Sequence, residues 1–453
     1  MNMGSGKPYS APSTPNLGGH ANAFQHGGGR GGPPRQDQQA QNDSFAGQLS
    51  IKGAATRQVA DATRQATQAA RPQGFGTTLE DIFHVDVSHT ALWSAKPILE
   101  QPQVIIDAHL AFLRAGADLL STATYQCSYR TFQRAGYSDA DARTAMTRAV
   151  RLADEARRKY CEESGKALSD IKLVLSLGPF GATLSPAQEY DGCYPPPFGP
   201  QAYSTSGENV NAFPVGSEGD EAESRAVQAL VDFHLERLRV FAADEEVWRA
   251  IDIIAFETIP VLREITAVRV AMAKLAAEVA DGGKAWWLSV LFPDGKFPEK
   301  RRGEPSASRE VADVVRSAFA ARTSDGDEMA DPDGVGVNCT DVSHYSGLVE
   351  ALQDALPSYT GDSVRPWLVL YPNGGDVYDP VSRTWKEGSG KEEAWADKLV
   401  DLATHAHKTT VWGGVVLGGC CRCGPDKIRM LADKRSCLML RNQLLHISCF
   451  SPS

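Results

Sequence analysis

The chain has 453 residues, 42% hydrophobic and 23% charged, which is enough to bury a large core, and its formal net charge is −10. That acidic balance argues against general affinity for nucleic acid or an anionic membrane and points to a small-molecule partner. No stretch approaches the roughly 18 consecutive apolar residues of a membrane span, the N-terminus has no apolar signal region, and the nine cysteines lack the spacing of a disulfide framework. A reduced, cytoplasmic protein without membrane or nucleic-acid partners is expected.

Residues 1–50 are dominated by Gly, Pro, Gln, Asn and Ser and are expected to be a disordered extension, because they cannot bury enough apolar surface to offset ordering entropy. Residues 51–73 have helical propensity with a thin apolar face and read as a helical or linker segment. Short β-branched runs then recur: "ADLLSTATY" (117–125), "IKLVLSLGP" (171–179), "IDIIAFETI" (251–259), "AWWLSVLF" (285–292), "GVGVNCT" (334–340), "WLVLYPN" (367–373) and "VVLGGCC" (415–421). Amphipathic helical stretches lie between them, including 102–117, 225–248 and 262–280. Seven strand-and-helix repeats make a (β/α)8 TIM barrel the natural closure, with a doubly wound open sheet as the alternative. The remaining strand has to come first, and "AARPQ" (69–73) is a poor one, so strand one is expected to be irregular or missing. Long connections at 182–223 and 293–306 follow strands and are expected on the active face.

Chemistry in such a barrel sits at the C-terminal strand ends. Those ends carry Tyr125, Gln126 and Cys127, then Glu257, then Asn338 and Cys339, and finally Cys420 and Cys421. Cys339, Cys420 and Cys421 therefore converge on one rim, an incomplete tetrahedral thiolate set of the kind that leaves a metal with an open position. Cys423 leaves a second arrangement open, a closed four-cysteine zinc or redox site. Glu257 is either a site carboxylate or the partner of a barrel-helix cation. Asn338 is either a hydrogen-bond donor to a ligand sulfur or a strand-end turn residue. Cys127, Cys161 and Cys193 read as core, and His405 and His407 as the end of a helix at the opposite face.

"GVNCT" (336–340) followed by "GGCCRCGPDKIRML" (418–431) resembles the zinc-binding signature of homocysteine S-methyltransferases. The segments 92–128, "SLGPFGA" (176–182), "FETIP" (256–260) and "VLYPNGGDVYD" (369–379) resemble that family in the same order. The resemblance covers residues 74–433, leaving 434–453 as an atypical tail. It implies Zn2+ held by Cys339, Cys420 and Cys421, and Glu257 on the amino group of homocysteine. It also implies a pocket loop carrying Tyr125 and Gln126, and methyl transfer from S-methylmethionine or S-adenosylmethionine to give methionine; a betaine-type enzyme is the alternative. Zinc would ionise the acceptor thiol, and the 182–223 loop, with Tyr190, Asp191 and Tyr194, would form a lid beside the donor's sulfonium. Two departures stand out. Cys423 and Gly424 replace the family's usual threonines, and no acid stands near Pro72-Gln73-Gly74 where the family has an amine-binding aspartate.

Overall fold

The computed structural model describes residues 75–85, 92, 95–280, 283–321, 328–360, 365–374, 377–379, 384–386 and 392–441. The expectations for 1–50 and 51–73, and for the tail beyond Arg441, lie outside these residues.

Seven parallel strands form one sheet in the order β1-β2-β3-β4-β7-β8-β11. They are β1 (Leu119–Ser121), β2 (Lys172–Leu177), β3 (Ile253–Ile259), β4 (Ala285–Val290), β7 (Gly334–Asn338), β8 (Trp367–Tyr371) and β11 (Gly414–Leu417). Two antiparallel hairpins, β5 (Lys300–Arg301) with β6 (Glu304–Ser308) and β9 (Val377–Asp379) with β10 (Thr384–Lys386), stand outside this sheet. Each pair of successive sheet strands is joined through helix, the crossover that parallel pairing requires. The sheet is the α/β barrel expected, and among the described residues no strand precedes β1. Phe75 and Gly76 open a short helix, α1 (Phe75–Asp81), and the Phe75 ring lies 4.6 Å from that of His109 and 6.3 Å from that of Phe112. Both belong to α2 (Pro102–Arg114), the helix leading into β1.

Strand alternation sorts the core into two compartments. Leu173, Leu175, Ile254, Phe256, Trp286, Leu288, Val335, Val337, Leu368 and Leu370 join the helices in the outer core. Leu119, Val174, Ala255, Trp287, Val369, Tyr371 and Val416 pack with the rim cysteines in a separate inner cluster. Two glycines of β7 make room for this inner packing. A Cβ on Gly336 would strike the Val369 carbonyl, and one on Gly334 would come within 3.1 Å of Trp287.

Element bounds differ from the sequence reading for local reasons. The strands are shorter than the apolar runs, because residues such as 122–128 turn onto the rim instead of continuing β1. The expected loop 182–223 ends at Gly216: "SEGDEAE" begins a helix (Ser217–Ala242) with Glu218 and Asp220 in its first turn, where carboxylates favour the helix dipole. The helix expected over 225–248 breaks after Ala242 and resumes at Glu245, where the Asp244 side chain caps Val247 N. The expected loop 293–306 contains the β5–β6 hairpin, which is too polar to signal a strand.

Candidate metal centre and substrate pocket

The rim is built from three non-glycine residues held at positive φ, each at the end of a strand or just beyond it: Thr258 (61°), Cys339 (47°) and Arg422 (63°). Such backbone persists only where surrounding bonds enforce it, and it clusters at functional sites. The enforcing groups are visible. Asn338 Oδ1 accepts from Thr258 N at 3.0 Å, while Asn338 Nδ2 donates to Thr258 Oγ1 at 2.7 Å and to Cys339 Sγ at 3.2 Å. Asn338 thus ties the ends of two strands together and donates to the Cys339 sulfur. On the other side, Cys420 N donates to Pro372 O, Gly374 N to Cys421 O, both at 2.8 Å, and Lys427 Nζ to Gly374 O at 2.6 Å.

These bonds bring Cys339, Cys420 and Cys421 together. All three are buried, and their sulfurs lie within 4.8 Å of one another. The Cys339 and Cys420 sulfurs are in bonding contact, with their Cα atoms 5.5 Å apart. Cys423 is elsewhere. It packs in the outer core, where its Sγ donates to Pro372 O at 3.6 Å, and a Cβ on Gly419 would collide with its side chain. The second glycine of "GGCC" is thus required by Cys423, and Cys423 is no part of the thiol cluster among the described residues.

Glu257 lies on the inner face of β3, fully buried, with no good hydrogen bond to either carboxylate oxygen. The expected alternative, an ion pair with a helix cation, is not found among the described residues. Burial pushes its carboxyl up to about 8, although the nearby Ser176 and Tyr371 hydroxyls pull the other way. Tyr371 in turn is hydrogen-bonded to Ser289.

Tyr125 and Gln126 are both buried on the loop after β1. A Cβ on Gly178 would come within 2.8 Å of the Tyr125 ring, and Gly178 N donates to Tyr125 O at 2.9 Å. Of the three loop residues considered for the donor, Tyr190 reaches the site, with its hydroxyl 3.8 Å from Cys421 Sγ. Tyr194 turns away and donates to Glu264 at 2.7 Å. The Asp191 carboxyl is raised by burial, and its backbone carbonyl accepts from Asn211.

Sequence reasoning missed a buried network anchoring these loops. Glu264 accepts from Phe180 N at 2.6 Å and pairs with His234 at 2.9 Å, and Arg237 reaches both His234 Nδ1 and Gly178 O. It also gave no role to Ser176, Ser289 and Tyr371. The signal was available in the alternation: with Glu257 assigned to the inner face, these residues fall on the same face of their strands.

Residues 74–435 match the homocysteine S-methyltransferase family. Among relatives, homocysteine S-methyltransferase 2 of Zea mays is 28% identical over 75% of this chain and 82% of its own. Selenocysteine Se-methyltransferase of Brassica oleracea is 30% identical over 79% and 86%, respectively. The fold is similar to that of the metallated homocysteine methyltransferase MmuM of Escherichia coli, with TM-score 0.54, 23% identity, and coverage of 80% of this chain and 94% of that one. With its match spanning the whole barrel, the chain belongs to the homocysteine S-methyltransferase family.

Proposed function

We propose that the protein transfers a methyl group from a sulfonium donor, S-methylmethionine or S-adenosylmethionine, to the thiol of homocysteine, with Zn2+ held by Cys339, Cys420 and Cys421. The observation that carries this reading is the pairing, on one rim, of three buried thiols with a buried carboxylate that forms no ion pair among the described residues. The donor set fits zinc, being soft, anionic when ionised, and one ligand short of a tetrahedron. The relatives' names supply the acceptor class, and the MmuM structure is of a metallated form of that protein.

When bound, zinc would supply a thiol ionised at neutral pH, which is otherwise only a few per cent thiolate. The chain's own residues do the rest. Glu257, buried and paired with no cation among the described residues, takes the ammonium of homocysteine and thereby orients the sulfur toward the rim. Asn338 and Thr258 hold Cys339, the former through its 3.2 Å hydrogen bond to Sγ. Tyr190 covers Cys421, and its segment keeps water from the reacting sulfur. Transfer is an in-line displacement: the acceptor sulfur bonds the methyl carbon, and the carbon–sulfonium bond breaks. The bonding pair stays on the departing thioether, which is neutral, so no general acid is needed. Positioning and exclusion of water then carry the acceleration.

The direct test offers homocysteine with S-methylmethionine, S-adenosylmethionine or betaine to the reduced, zinc-loaded protein. Methionine formed from a sulfonium donor supports the reading, formation from betaine alone overturns the donor assignment, and none from any donor overturns the proposed reaction.

A further inference from the structure

The inner face of the sheet changes character along its length. Below, it is apolar: Leu119, Val174, Ala255, Trp287, Val369 and Val416. One step toward the rim, the alternation places Ser121, Ser176, Glu257, Ser289, Asn338 and Tyr371 on that face, all buried. Asn338 is saturated by Thr258 and Cys339, and Ser289 and Tyr371 bond each other. Ser176 Oγ and both Glu257 oxygens make no hydrogen bond of good geometry, although the Ser176 and Tyr371 hydroxyls lie close enough to act on the Glu257 carboxyl. Buried polar groups so poorly satisfied are costly in a fold and are explained when a ligand completes the set.

Ser176 is also held in place. Its amide donates to Thr122 Oγ1 at 3.2 Å, and its carbonyl accepts from Thr124 Oγ1 at 2.6 Å, so its backbone is fixed, with the hydroxyl near Glu257 of the neighbouring strand. An ammonium group carries three N–H donors. A carboxylate satisfies two, leaving one for a further acceptor.

We propose that Ser176 is that further acceptor, and that Ser289 is a positioning residue acting through Tyr371 to orient Glu257. In this arrangement Ser289 donates to the Tyr371 oxygen, Tyr371 donates to one Glu257 oxygen, and Ser176 donates to the other while its lone pair takes the third ammonium hydrogen. Charge alone would admit any cation. A set of acceptors selects N–H and turns away the methylated sulfonium of the donor, which has no hydrogen to give. The inference rests on the amino-acid thiol reading of the site, and its test separates the two.

The experiment uses the zinc-loaded full chain and calorimetric titration with two probes, L-methionine and its desamino analogue 4-(methylthio)butanoate. The wild type prefers methionine. In Ser176→Ala and Ser289→Ala that preference falls about tenfold each, through weaker methionine binding only, as expected for one hydrogen bond to a charged group. Ser176→Thr, which keeps the hydroxyl, restores most of it. A wild type that discriminates, with an Ala variant whose preference is unchanged or whose two affinities fall together, overturns the role of that serine and leaves the substrate reading standing. A wild type that does not discriminate overturns both.

Discussion

Replacing Glu257 by Gln should stabilise the ligand-free protein, by an amount that depends on pH. Glu257 is fully buried, and its carboxyl is raised from 4.5 to about 8, with burial as the main cause. Below pH 4.5 the group is protonated in both folded and unfolded chains and contributes no difference. As pH rises, the unfolded chain releases its proton while the folded one retains it, so folding stability is lost continuously until the folded group ionises near pH 8. The interval from 4.5 to about 8 is about 3.5 pH units, and at about 1.36 kcal/mol per unit the full loss is about 5 kcal/mol; at pH 7 it is about 3 kcal/mol. Gln keeps the shape and cannot ionise. Urea unfolding of reduced, metal-free wild type and Glu257→Gln should therefore give a variant more stable by about 1 kcal/mol at pH 5 and by about 3 kcal/mol at pH 7. The same variant should lose homocysteine binding, the expected exchange of stability for function at a site built to hold a cation. A stability difference that is the same at pH 5 and pH 7 would refute the reasoning.

Other outcomes follow from the rim geometry. Cys423→Ala should leave zinc bound at one equivalent while costing about 1 kcal/mol of stability, because its sulfur packs in the outer core; zinc content by plasma mass spectrometry and a urea midpoint check both halves. Asn338→Ala removes the hydrogen bonds to Thr258 and to Cys339 Sγ and should weaken zinc about 10–100-fold in chelator competition, with the fold retained by circular dichroism.

The barrel was legible because parallel strands buried on both faces read as continuous β-branched runs, and each of the seven reappears, shortened, in the sheet. The convergence of Cys339 with Cys420 and Cys421 followed from the topology, which places every strand end on one rim however far apart the residues are in sequence. What escaped was cooperative or polar. The β5–β6 hairpin carries no hydrophobic alternation, and the helix from Ser217 opens with seven residues whose composition imitates a loop. Cys423 was undecidable in sequence, because a one-residue spacing does not tell which side of the sheet a thiol faces. The structure decides it through Gly419, whose missing Cβ is the space that Cys423 occupies. Ser176, Ser289 and Tyr371 look ordinary singly and matter only as the face they share with Glu257.

The measurement closest to the central claim is the number of sulfur ligands around zinc, read by X-ray absorption at the metal edge, with and without homocysteine. An open three-cysteine centre predicts three sulfurs in the protein alone and four once homocysteine is added. Four sulfurs before any homocysteine is present, or a count that homocysteine leaves unchanged, would contradict it.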